Sequence, residues 1–556
     1  MQDLPHWHGA ADATLEVGWS ALSSSDQDAP KVLVAALRAL SRLAPALKSE
    51  ALTSASLQLA CRVLNCSSSP SVESCQIQAL QLLKALVRSE PMLLAGQQGR
   101  AAVGAAFSAA KDAAPSVDDL DEVSNTALSA RECLRVMAKA HPTQAVASVL
   151  EAAKAAAASA DALDRAAAVH AVAFALSGAR EVPAGWAVPL ANALRDSAVW
   201  VRQAACEGAV LLAEELKSSQ SVTGGFEQIL GRLVELLPRE PQLELLEKAA
   251  AAASAILQEL TTDEAASVLS TAAPAVFQAI GDAEDQRTTA LDGGAALAAL
   301  ARTLTALASC TADHFAPWAP EAAKSLVTLF RGCKAGGGPP IAAPVRPTVL
   351  AACLDAAGAV IASAWVDQSF QAQKEELAQA AREVLQDASA PSEARASAHH
   401  FYARVALACF EEFAPTLEVV LPPALEALRP ENSECLAVKP GRGVRTGGHE
   451  ERLAALEALG SYAAALGARF APHLPSALPA VCSQAQHPRV EVRAGAAMAL
   501  ERMARVLGDL AQGLPSSDQA AASRLAEAVV ASLCEILKQP GSKALRCTLQ
   551  AKEEPV

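Results

Sequence analysis

The sequence predicts an all-α solenoid of antiparallel amphipathic helix pairs stacked side by side. Three observations predict it. One helical phrase occurs twice: residues 194–216 read LRDSAVWVRQAACEGAVLLAEEL and residues 486–507 read QHPRVEVRAGAAMALERMARVL, with Val492-Arg493 standing where Val201-Arg202 stand. In both, apolar residues recur at helical spacing (Val201, Ala204, Gly208, Leu211 and Leu212; Ala496, Leu500, Met503 and Leu507) and leave one greasy stripe that a lone helix cannot shelter. A second marker, Phe-Ala-Pro, occurs at Phe315, Phe413 and Phe470, each time ahead of another apolar helical run. The chain is also 52% hydrophobic but only 3% aromatic, with much of the apolar share in alanine, a composition that suits closely packed helices and disfavours strands.

A chain of 556 residues exceeds what one hydrophobic core can serve, so it needs several domains or a repeat array, and the repeated phrases favour the array. Residues 1–30 show no clean repeat and are expected to be irregular or a truncated repeat. Residues 31–331 form the first stretch of array: 31–47, 51–64, 76–87, 101–110, 126–140, 144–157, 161–176 and 187–195 alternate as helices, with Asp196 and Ser197 placed to cap the next. Between them, Asp118, Asp119, Asp121 and Glu122 read as a solvated turn. Residues 332–347 (GCKAGGGPPIAAPVRP) and 429–448 (RPENSECLAVKPGRGVRTGG) cannot continue a helix and read as insertions that flank array segments 348–428 and 449–538; residues 539–556 read as a polar tail. Each Phe-Ala-Pro is expected to end one helix and open the next, with its phenylalanine packed between repeats. Basic landmarks at Arg131, Arg165, Arg202, Lys248 and Arg287 lie 34, 37, 46 and 39 residues apart, and Arg452 and Arg493 lie 41 apart. A variable period near forty fits HEAT or armadillo units better than a strict thirty-four-residue unit.

The charge balance excludes some functions. Lys and Arg number 46 against 60 Asp and Glu, a net charge of −14, which disfavours a protein that tracks phosphate backbones and suits basic protein partners or plain solubility. No apolar run reads as long and clean enough to span a bilayer. The thirteen cysteines are scattered, without a Cys-x-x-Cys pair, and read as reduced thiols; Cys61, Cys66 and Cys75 cluster but lack histidines at zinc-site spacing. Gly441-Arg442-Gly443 has no preceding strand and no following Gly-Lys-Ser/Thr, so it does not read as a phosphate loop.

No enzyme signature is present. There is no Gly-x-Ser-x-Gly and no His-Glu-x-x-His; His399 and His400 are adjacent, hence about 100° apart on a helix, and cannot share one metal. The pairs Glu214-Glu215, Glu375-Glu376 and Glu411-Glu412 read as exposed helix faces. No catalytic, cofactor-binding or metal-ligating residue is therefore expected. Arg202 and Arg493 each sit six residues after a turn residue (Asp196, His487), and a polar ladder from the arginine of one repeat to the turn of the next is their expected use.

The serial order of these segments resembles the middle of an importin-β (karyopherin-β) nuclear transport receptor, nearest the group that includes importins four and five. The resemblance rests on Leu194-Arg195-Asp196 with Val201-Arg202-Gln203-Ala204-Ala205, and on Phe470-Ala471-Pro472-His473-Leu474-Pro475 after Glu450-Glu451-Arg452-Leu453-Ala454-Ala455-Leu456-Glu457-Ala458-Leu459-Gly460. It implies a right-handed HEAT superhelix that carries basic protein cargo, such as histones or ribosomal proteins, in a concave groove between cytoplasm and nucleus, with the GTPase Ran and nuclear pore proteins as partners of the full-length receptor. It implies neither direct nucleic-acid binding nor membrane insertion. Two departures stand out: the family's amino-terminal Ran-binding repeats and part of its carboxy-terminal repeats have no counterpart here, and the family's acidic insertion is replaced at 429–448 by a basic, glycine-rich one. A non-transport HEAT scaffold of the phosphatase, microtubule or chromosome-organising type is the alternative.

Overall fold

In the computed structural model, the described residues are 4–24, 28–46, 49–66, 70–112, 125–179, 181–216, 223–286, 291–334, 341, 344–429, 447–513 and 516–538. All regular structure among them is helical. The chain divides into two compact units, 1–260 and 261–556.

Unit 1 holds α1 (Leu4–Ser23), α2 (Ala29–Leu43), α3 (Glu50–Leu64), α4 (Pro70–Ser89), α5 (Gln97–Asp112), α6 (Asn125–Ala140), α7 (Pro142–Ala156), α8 (Ala162–Gly178), α9 (Val188–Ala193), α10 (Val199–Glu215), α11 (Thr223–Leu236) and α12 (Leu243–Leu257). Each odd-numbered helix pairs with the next even-numbered one, and the even helices from α2 to α12 also pack on one another in sequence, as do the odd ones. The architecture is therefore two parallel rows of helices. In α2 the positions Leu33, Ala36, Leu37 and Leu40 are buried at three- and four-residue spacing; sealing one leucine contributes roughly 1.5–3 kcal/mol, so successive pairs hold one another in place.

Where the sequence suggested an irregular segment or a truncated repeat in residues 1–30, Leu4–Ser23 form the helix α1. Ala11, Leu15, Gly18 and Ala21 are buried on one face of α1, which packs on α2 and α3 as the first member of the first pair. Small residues set how closely neighbours approach. A Cβ on Gly178, at the end of α8, would lie 2.1 Å from the Arg135 carbonyl oxygen of α6, so only glycine fits there.

Unit 2 holds α13 (Thr262–Gln286), α14 (Leu291–Thr311), α15 (Ala319–Cys333), α16 (Arg346–Ser363), α17 (Gln371–Gln386), α18 (Ser392–Cys409), α19 (Ala414–Ala427), α20 (Gly447–Leu466), α21 (Leu474–Ser483), α22 (Val490–Gly513) and α23 (Ser516–Lys538), again in two rows. The glycine-rich stretches do not divide it: α15 packs on α16 and α19 on α20 across them. Lys439, Arg442 and Arg445, like the 539–556 tail, the acidic 118–122 turn and Arg287, lie outside the described residues. Contrary to the sequence expectation, Gly293–Cys333 and Arg346–Ser363 reach the length and hydropathy of a membrane span. They are interior helices, with 67% and 61% of their most apolar windows buried.

The Phe-Ala-Pro corners share one geometry. The residue three before each phenylalanine has positive φ: 46° at Ala312, 47° at Phe410 and 51° at Gly467. A short 3-10 turn follows, and Phe315, Phe413 and Phe470 are buried. Phe413 of the α18–α19 corner stacks on Tyr462 of α20 at 5.1 Å, between consecutive pairs as expected. The backbone reversal comes first, and the phenylalanine locks it.

Candidate protein-binding surface

Two polar features run along the even-numbered helices of each unit: a ladder at their amino-terminal ends and a stripe about one and a half turns further on. The ladder starts from an arginine in the second turn. Arg165, Arg202 and Arg493 each donate from Nη1 to the carbonyls six and five residues earlier, Ser159 and Ala160, Asp196 and Ser197, His487 and Pro488, at 2.8–3.2 Å. These are the carbonyls exposed where the chain turns from one helix into the next. The other edge of the guanidinium reaches the following repeat. Arg165 grips Asp196 through two 2.8 Å bonds, and Arg202 grips Glu240 at 3.0 and 2.8 Å. Asp196 then accepts the Ala198 N–H and Glu240 the Gln242 N–H, so each carboxylate closes a rung and ties down the start of the next helix. The hydrogen bond from Arg165, more than the Ala198 N–H or the charges, holds the Asp196 carboxyl below its usual range.

Arg395 of α18 makes the same kind of rung to Glu451 of α20, at 2.8 and 2.7 Å. Sequence reading missed this arginine, although it lies in the second turn of its helix as Arg165 and Arg202 do. The reading also merged two registers. Arg131 and Lys248 are not ladder residues; they belong to the second stripe, which explains the uneven spacing of the basic landmarks.

That stripe is the more accessible one. In unit 1 it runs Arg131 (α6), His170 (α8), Glu207 (α10), Lys248 (α12). Lys248 donates to Glu207 at 2.9 Å, Gln203 donates to the same carboxylate at 3.0 Å, and His170 Nε2 lies 3.6 Å from it. Burial, then the charge of Arg131, lowers the His170 pKa to about 3, so the ring is neutral at pH 7. In unit 2 the corresponding positions are Asp355 (α16), His400 (α18) and Glu457 (α20). His400 lies 3.6 Å from Asp355 and 3.5 Å from Glu457. Burial works to lower its pKa, but its interactions with the nearby Asp355 and Glu457 carboxylates outweigh burial and raise it. Asp355 accepts a 2.9 Å bond from Ser397 on one oxygen, while the other is buried without a hydrogen bond among the described residues.

We call the even row the inner one. On its side Arg135 of α6 reaches Glu215 of α10 at 3.3 Å past α8, and Arg404 of α18 reaches Ser309 of α14 at 3.0 Å past α16.

The other residues of interest fall elsewhere. His399 is buried, its pKa lowered by burial to about 3, and His400 faces the stripe, as adjacent helical positions must. Glu215 pairs with Arg135, Glu376 with Arg331, Glu411 with Arg469, and Glu412 accepts from the Trp365 indole: the carboxylate pairs are links between neighbouring elements. Cys66 and Cys75 bond the Arg62 and Pro30 carbonyls, and among the described residues no cysteine is paired in a disulfide. Among the described residues no three His, Cys, Asp or Glu side chains converge as a metal site would need.

Paired helices in two rows, with arginine rungs at the turns, define the class: an all-α HEAT-type solenoid. The HEAT-like repeat family matches residues 449–503, spanning α20 to α22. No curated protein is similar to the chain in sequence. Among solved structures the fold resembles the karyopherin Kap121p. The similarity to Kap121p bound to Pho4p has a TM-score of 0.63 at 17% identity over 94% of this chain and 54% of that one. For Kap121p bound to the extreme C-terminus of the phosphatase Cdc14p it is 0.64 at 17% over 95% and 54%, and for Kap121p bound to RanGTP 0.59 at 17% over 92% and 52%. The chain spans about half the length of these structures.

Proposed function

We propose that the chain is a nuclear transport receptor, or the part of one, that carries basic proteins on its inner helical row and moves between cytoplasm and nucleus. What supports this is the fold similarity to Kap121p, which extends over nearly all of this chain and includes Kap121p structures bound to protein partners and to RanGTP. In the importin-β group resembled by the sequence, that fold serves cargo carriage without catalysis, and we assign this chain no catalytic role.

The inner stripe of unit 2 supplies the chemistry. The Asp355 and Glu457 carboxylates on either side of His400 are complementary to lysine and arginine side chains, and a row of repeats offers many weak contacts whose sum selects a charge pattern. Core histones and ribosomal proteins are the cargo class we propose, and the −14 net charge steers them in. No residue of this chain is assigned to Ran or to pore proteins.

Pull-down of core histones and ribosomal proteins by the chain, repeated with Asp355→Lys/Glu457→Lys, tests the surface: capture by the parent and at least tenfold weaker capture by the variant are expected. Release of bound cargo by RanGTP, measured on the full-length gene product, tests transport. Equal capture by both proteins overturns the surface, and cargo indifferent to RanGTP overturns the transport role.

A further inference from the structure

The ladder changes character at the rung between α20 and α22. Asp196, Glu240 and His487 are equivalent positions: each lies three residues before an even-numbered helix, and each side chain accepts the N–H two residues on, from Ala198, Gln242 and Arg489 respectively. Where unit 1 has carboxylates facing the previous repeat's arginine, unit 2 has an imidazole facing Arg452. Around it gather His449, whose ring meets His487 edge-on with centroids 5.6 Å apart, and the exposed Arg489. Arg452 lies behind, donating to the Ala427 and Arg429 carbonyls.

With His487 Nδ1 committed as an acceptor, its Nε2 carries the proton in the neutral ring and donates outward. His487 lies three residues before α22, whose first turn carries the positive dipole end. We propose that His449, His487 and Arg489 form a binding site for a phosphate-type oxyanion, which takes the place that the Asp196 and Glu240 carboxylates fill in the other rungs. The chemistry is that of a phosphate monoester dianion: several short donors converge on one compact acceptor. Burial and the neighbouring cations lower both histidines; for His487, burial, Arg452 and His449 act in that order to bring it to about 4. For His449, burial, Arg489 and Arg452 outweigh the opposing Glu491. This site lies at the turn edge and is separate from the inner stripe, so its failure would leave the cargo proposal standing.

The test uses the full chain in sodium phosphate against sodium chloride at matched ionic strength, with NMR of the histidine side chains and thermal unfolding. Phosphate is expected to raise the apparent pKa of His449 and His487 by at least one unit and to raise Tm with concentration. His487→Asp, which builds the missing carboxylate into the rung, is expected to unfold at or above the parent's Tm and to lose the phosphate response. A phosphoserine peptide binding at least tenfold more tightly than both inorganic phosphate and its unphosphorylated form identifies a phosphoprotein as the source; equal binding of peptide and inorganic phosphate identifies the free anion. Identical behaviour in chloride and phosphate, or a full phosphate response in His487→Asp, overturns the proposal.

Discussion

His170 in unit 1 and His400 in unit 2 occupy the same place on the same kind of helix, five residues after the ladder arginines Arg165 and Arg395. They titrate in opposite directions. His170 is buried between Arg131 and Lys248 with one carboxylate, Glu207, to share; His400 has Asp355 on one side and Glu457 on the other. The backbone position fixes only that a side chain here faces its counterparts one repeat before and one after. The residues of those neighbouring repeats decide what it does. Of the named stripe residues, unit 1 accordingly sets two cations around one carboxylate, and unit 2 sets two carboxylates around one histidine.

The ladder offers the strongest way to break the comparison. Glu240 has a side chain only 1% exposed, whereas Glu451 in the equivalent unit 2 rung is 13% exposed. Arg202→Ala is expected to cost about 3–5 kcal/mol because it leaves a buried carboxylate uncompensated, and Arg395→Ala about half of that because Glu451 reaches water. Urea unfolding of both variants measures the difference, and equal losses would show the two ladders to be interchangeable.

The histidines themselves come next. NMR titration is expected to find His170 still neutral at pH 5 and His400 protonated above pH 6.5. A lowered pKa stabilises the folded chain above the unfolded value of about 6.5, and that stability is lost as pH falls toward the folded value. A raised pKa does the reverse: the His400 contribution is full below about 6.5 and is lost as pH rises through its folded pKa. Asp355→Asn should bring His400 down toward or below 6.5, while Glu207→Gln should lower His170 further.

Smaller effects are expected at the corners. Phe410 has a 60% exposed side chain and φ of 47°, where the next corner uses Gly467. Phe410→Gly should therefore gain about 0.5–1 kcal/mol, and Gly467→Ala should lose about 1 kcal/mol, read as shifts in urea midpoint. The smallest effect is expected at the second glycine-rich stretch. Arg452 holds the Ala427 and Arg429 carbonyls and Gln484 holds that of Leu428, so the end of α19 is fastened to the start of α20 and to the next repeat. Replacing residues 430–446 by a four-residue Gly-Ser linker should change stability by less than about 1 kcal/mol, since loop-closure entropy varies slowly with length.

Much of this was legible because the rules that govern it are local. Helical periodicity located the helices, proline and Phe-Ala-Pro marked their junctions, and an arginine six residues after a turn residue announced the rung at Arg202. Arg395 escaped notice because its partner, Glu451, lies 56 residues away beyond the 430–446 stretch, and Arg131 and Lys248 were counted into the wrong row because the alanine-rich stretches around them carry no register mark. The sequence by itself determined the helical class, the pairing of neighbours and the carbonyl-gripping role of the ladder arginines, since each depends on residues within one pair. Only the tertiary structure decided which side chains of successive repeats share a stripe and in which direction the pKa of a histidine there is shifted. Those outcomes depend on contacts between residues some forty or more positions apart, where small differences in helix length and turn geometry set the register.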